Sequence, residues 1–211
     1  MKLYACLLAL ALSFNVSAAT LDASIAQLQH EWATANYQTP EKEREGALEK
    51  LVKEAHQVTA ANPGRAEPLI WEGIITSTLA KYQSLFSAGG TAKAARDLLL
   101  SAEKIDPNAL EGSALTSLGS LYYKVPRFGS FGDYDKARDY LERALKVNPN
   151  GIDQNYFYAD FLLERGEYAK SLEYFKKALN APARPGREDA DAGRHADIKI
   201  GIQKAEKKLQ N

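Results

Sequence analysis

The three histidines, His30, His56 and His195, are the side chains best suited to metal or general-base chemistry in this sequence, and they stand far apart. None forms the His-x3-His or HExxH spacing that places two ligands on one helix face. His195 lies in GREDADAGRHAD, where the acidic neighbours read as a solvated charged segment. A Gly-x-Ser-x-Gly elbow and a GxxxxGKS phosphate loop are both missing from the sequence. No catalytic residue, metal or cofactor is assigned, and the chain is expected not to be an enzyme.

What remains is chemistry of contact. VPRFGSFGDYDKA, beginning at Val125, puts Arg127, Phe128 and Phe131 among glycines where the flanking sequence reads as helix. SLFSAGG repeats the theme with Phe86. Rings in a glycine-rich turn either fold back over the end of a hairpin or remain outside to meet a partner.

The elements that must position these residues follow from a repeat. LLLSAEKIDP, YLERALKVNP and YFKKALNAP each run an apolar helical stripe with a small alanine into a proline. Leu115, Leu118-Gly119, Tyr122, Ala137, Leu141, Ala144 and Pro149 make up one hairpin. Asn155, Tyr158-Ala159, Leu162, Gly166, Tyr168, Ser171, Phe175 and Ala178 make up the next, with Ala144 and Ala178 34 residues apart. The pattern resembles the tetratricopeptide repeat, whose unit is two antiparallel helices. Small residues let the two helices approach, proline ends the second one, and hairpins must stack because one alone cannot bury its face.

The resemblance implies an all-α fold: a right-handed superhelical stack of about four antiparallel hairpins with a C-terminal capping helix. Asp22 to Tyr37 with Glu41 to Ala61 would form the first hairpin. Pro68 to about Leu85 with Thr91 to Ile105 would form the second. Residues 20–181 are the repeat domain, and 182–211 are a linker and cap from about Glu188 to Gln210, with Ile198, Ile200, Ile202, Ala205 and Leu209 partly inward. Ala102 and Ala144 lie 42 residues apart, eight beyond the period, and six of the extra residues fall in the turn at VPRFGSFG. Eight more fall around SLFSAGG in the second hairpin. Two expanded loops, Ser84 to Gly90 and Val125 to Gly132, are therefore expected side by side, and Asp133 is expected to cap the helix that follows the second.

Aligned to the repeat, Ser113, Thr116, Ser120, Tyr123 and Lys124, then Asp153, Tyr156, Asp160, Leu163 and Glu164, would face the concave side. Tyr, Lys and Asp there can bind an extended peptide or a polar solute. The expected partner site is Phe86, Tyr123, Lys124, Arg127, Phe128, Phe131, Tyr156 and Asp160. Pro126, Gly132-Asp133, Lys136-Ala137 and Ala144-Leu145 also resemble a segment of periplasmic tetratricopeptide proteins associated with TRAP transporters, which implies a solute-binding protein as partner. The alternatives are a small-solute or transporter-associated accessory protein, and an enzyme subunit with dispersed chemistry.

Lys2, the apolar run Ala5 to Phe14 and Ser17-Ala18-Ala19 have the composition of an export signal cleaved near Ala19, which predicts a periplasmic protein. The run is too short for a membrane span. Cys6 is the sole cysteine, so a chain cut there has no disulfide or thiolate chemistry. With 27 Lys and Arg against 27 Asp and Glu, nothing favours nucleic acid or an anionic membrane.

Overall fold

The computed structural model describes residues 20–210; the export-signal reading of residues 1–19 lies outside them. Among the described residues the chain is helical without strands. α1 (20–33) runs into a single π-helical segment, Thr34–Gln38. It is followed by α2 (Glu41–Ala61), α3 (Ala66–Tyr82), α4 (Leu85–Ile105), α5 (Ala109–Lys124), α6 (Tyr134–Val147), α7 (Ile152–Glu164), α8 (Tyr168–Leu179) and α9 (Glu188–Gln210). They pair as α3/α4, α5/α6 and α7/α8, α1 and α2 share a core of Leu21, Ile25 and Leu28 with Leu48, Leu51 and Ala55, and α9 packs on α8 and α7. This is the stack of four hairpins with a C-terminal helix that the sequence leads one to expect.

Close approach of paired helices has the same cause in the second and third hairpins. A Cβ on Gly73 would lie 2.7 Å from Leu99 Cγ, and one on Gly119 would lie 2.6 Å from Leu141 Cγ. Both leucines are fully buried, so each side chain sits directly on the facing glycine. Helix ends follow local chemistry. α4 stops at Ile105 before Pro107, and α6 stops at Val147 before Pro149. Asp133 caps α6, its carboxylate accepting from the backbone N–H groups of Asp135 (3.0 Å) and Lys136 (3.1 Å).

The second hairpin departs from expectation. SLFSAGG is not an expanded loop: Gln83 and Ser84 alone join the helices, and α4 begins at Leu85 rather than Thr91. The backbone N–H groups of Ser87 and Ala88 already donate to Ser84 O, at 3.0 and 2.9 Å. Eight extra residues are about two helical turns. Added as one turn to each of two antiparallel helices, they lengthen the hairpin without disturbing its pairing. In the third hairpin Pro126 and Gly129, at φ 75°, block that solution. The extra chain stays a loop, pinned by Asp133 N–H to Tyr122 O (2.8 Å) and Gly132 N–H to Pro126 O (3.2 Å).

α9 also differs from a simple cap. Its inward stripe is Ala190, Asp191, Arg194, Ile198, Gly201 and Ala205, whereas Ile200 and Leu209 are about half exposed. The C-terminal half is seated by Ile198 against Phe175, with Gly201 beneath the Phe175 ring. The N-terminal half reaches the start of the stack. Ala190 joins the core of Trp32, Trp71 and Leu79, Gly193 lies against the Tyr37 ring, and His30 Nδ1 sits 2.6 Å from Asp189 Oδ2.

Candidate functional site: the helix faces and the turn edge

The residues expected to form one site divide between two places. At the C-terminal ends of α5 and α7, Tyr123 is buried and its hydroxyl donates to Asp160 Oδ2 at 2.7 Å. Lys124 pairs with the same Asp160 oxygen at 2.8 Å and with Glu164. Burial and then Asp160 push the Tyr123 pKa well above its ordinary value, so the phenol keeps its proton. Burial works against the Lys124 charge, but Asp160 and Glu164 outweigh it and raise the pKa. These groups converge, yet they satisfy one another and clamp α5 to α7. Among the described residues no three His, Cys, Asp or Glu side chains are placed to hold a metal ion.

Tyr156, half-buried, belongs to a second cluster under α9. The Arg194 guanidinium lies over the rings of Tyr156 (4.3 Å) and Phe157 (4.8 Å), and its Nε donates to Asp153 Oδ1 at 2.7 Å. Arg184, from the linker before α9, donates to Asp153 Oδ2 at 2.5 Å and to Asp191 Oδ1 at 2.7 Å. Arg194 also reaches Asp197, which accepts from the Tyr37 hydroxyl at 3.2 Å. Burial would raise the Asp153 pKa, but Arg194, Arg184 and Arg187 hold it far below the carboxylate range. The exposed side of α7 and the end of the first hairpin thus carry a tenant already, the N-terminal half of α9.

The turn edge is the opposite case. Phe86 and Leu85, in the first turn of α4, and Phe128, in the α5/α6 loop, are almost wholly exposed, at 101, 95 and 99 %. Arg127 is exposed and lies over the Tyr134 ring at 4.9 Å. Phe131 folds back, meeting Tyr122 edge-on (centroids 5.8 Å) while Arg96 of α4 covers it at 4.6 Å. The two phenylalanines of one loop therefore have different fates: Phe131 plugs and Phe128 projects.

Leu85, Trp71, Arg184, Arg187 and Arg194 carry no mark of a site in the sequence itself. Leu85 stands in SLFSAGG, which reads as loop. The arginines lie in a charged stretch, and nothing local marks them as reaching Asp153 and Trp71.

These features define a class, a stack of helix hairpins whose helix faces and turns present surfaces. Residues 122–188 match the family model of the tetratricopeptide repeat. A thermophilic tetratricopeptide-repeat protein of Thermus thermophilus shares the fold, with 18 % identity, 74 % of each chain covered and a TM-score of 0.56. Looser overlaps are with MamA (20 % identity, 80 % of this chain and 93 % of that one, TM-score 0.45) and pilF of Pseudomonas aeruginosa (18 %, 90 % and 89 %, 0.36). No curated protein matches the chain. The repeat match covers residues 122–188, and the fold shared with the Thermus protein is that of a stack of tetratricopeptide-like helix hairpins. Among the described residues no helix is long and apolar enough to cross a membrane.

Proposed function

We propose that the protein is a non-enzymatic periplasmic interaction module that captures a protein or peptide partner on the turn edge of its second and third hairpins. Leu85, Phe86 and Phe128 are the apolar contacts, with Arg127 as the flanking cation. The observation that carries this reading is the near-complete exposure of three large apolar side chains at the α3/α4 and α5/α6 turns, while Asp153 and Tyr156 of α7 lie under Arg194 of α9. Fully burying such side chains at an interface is worth about 1.5–3 kcal/mol each, and exposed apolar residues grouped on a surface mark interaction sites. Export rests on the composition of residues 1–19. A solute-binding protein is the partner that the segment around Gly132-Asp133 implies.

The test is capture from periplasmic extract by the wild-type protein and by the Phe86→Ser/Phe128→Ser double variant, with mass spectrometry of what is retained. A partner recovered by the wild type and lost by the variant is the expected result. Equal recovery by both overturns the turn edge as the site, and recovery of none from a periplasmic extract that a cytosolic extract supplies overturns the location.

A further inference from the structure

Three arginines gather where the linker meets α9, and they are not equally provided for. Arg184 has Asp153 and Asp191, and Arg194 has Asp153 and Asp197. Arg187 has no carboxylate partner among the described residues. Its guanidinium carbon lies 5.1 Å from the centre of the ring of Trp71, a residue of α3. Its Nε is buried without an acceptor, and the indole Nε1 of Trp71, a residue only 3 % exposed, is buried without one too. Burial and then the nearby Arg184 lower the Arg187 pKa, whereas that of Arg184 is raised by Asp153 and Asp191 against burial.

Buried N–H groups are nearly always bonded, and one left unbonded costs about 1–3 kcal/mol. Here two stand at one stacked pair, both donors and one of them cationic, so whatever completes the pair is an acceptor and favourably an anion. The rest of the guanidinium is within reach of solvent, since Arg187 as a residue is only half-buried. The surroundings choose among anions. Glu188, Asp189 and Asp191 follow directly in the sequence and oppose a doubly charged phosphate or sulfate. A planar monoanion matches the guanidinium fork in shape and charge.

We propose that Arg187, backed by Trp71, is a binding site for a carboxylate, supplied either by a free small acid or by the C-terminus of a peptide. The site lies away from the turn edge, so it stands or falls separately from the partner capture described above.

The sequence contains two tryptophans, Trp32 and Trp71, with ring centroids 5.9 Å apart, so intrinsic fluorescence reports on this place. The experiment titrates the intact protein, at constant ionic strength, with acetate, a tripeptide acid, the corresponding tripeptide amide, and sulfate. A saturable emission change with acetate or the tripeptide acid, at least tenfold weaker in Arg187→Gln, is expected. Response to acetate identifies a free acid as sufficient, and response to the tripeptide acid alone identifies a chain end. No saturable response to either acid overturns the proposal, as does an equal response in Arg187→Gln, an equal response to the amide, or sulfate binding as tightly as the acids. Where Arg187→Gln loosens the helices, judged by circular dichroism, Arg187→Lys decides: tenfold weaker binding with helicity kept supports the site, and unchanged binding overturns it.

Discussion

The second and third hairpins each carry chain in excess of the repeat, and they use it differently. In the second it becomes helix, with two residues left to turn the chain; in the third it becomes the loop from Val125 to Gly132. The packing between the paired helices is the same in both, with Gly73 under Leu99 and Gly119 under Leu141. Extra length is therefore decided at the turn and leaves the hairpin interface untouched. The deciding residues are few. Pro126 forces Val125 out of helical geometry, and Gly129 adopts a left-handed φ, whereas Gly89 and Gly90 sit within α4 without one. Each turn nevertheless exposes large apolar side chains, Leu85 and Phe86 at one and Phe128 at the other. Helix and loop are alternative ways of carrying the same kind of surface.

That comparison can be broken most forcibly at the shared interface. Gly73→Ala and Gly119→Ala each drive a methyl group into a fully buried leucine, and each is expected to cost about 1–3 kcal/mol. Chemical denaturation of both variants checks this; a cost in one hairpin alone would mean that the two interfaces are not equivalent. A smaller effect is expected at the cap. Asp133→Ala removes two hydrogen bonds at the start of α6 and should cost about 1 kcal/mol. Ser84→Ala should cost less, because the Ser84 side chain makes no such bond to α4. The smallest effect has the most diagnostic sign. Gly89→Ala, in an exposed helical position with open space around its Cβ, should stabilise by about 0.4–1 kcal/mol. Gly129→Ala, at φ 75°, should destabilise. Melting temperatures moving in the same direction would contradict the assignment of one stretch as helix and the other as loop.

Much of this could be read beforehand. The alanine and proline spacing marked three hairpins and placed the ends of α4 and α6, the resemblance to the repeat supplied the first hairpin, and Asp133 announced its own cap. The candidate site was legible only in part. Phe86, Arg127 and Phe128 are exposed as a binding surface requires, but the Tyr123 hydroxyl is committed to Asp160 and Tyr156 lies beneath Arg194. Alignment to a repeat says which way a helix face points and is silent on what else has come to lie on it.

The sequence by itself determined the repeat, the helix stops and the amount of surplus chain, because periodicity, proline and capping act over a few residues and need no knowledge of the rest. Only the tertiary structure decided that the surplus in the second hairpin is helix, and that α9 returns to the first hairpin. The ties that hold it there join Arg194 to Asp153, 41 residues away, and Tyr37 to Asp197, 160 residues away. Such pairs form because stacking brings distant faces together in a partly buried space where opposite charges must meet. No local pattern in the chain encodes which carboxylate each arginine will find, nor that Arg187 will be left over Trp71 without one.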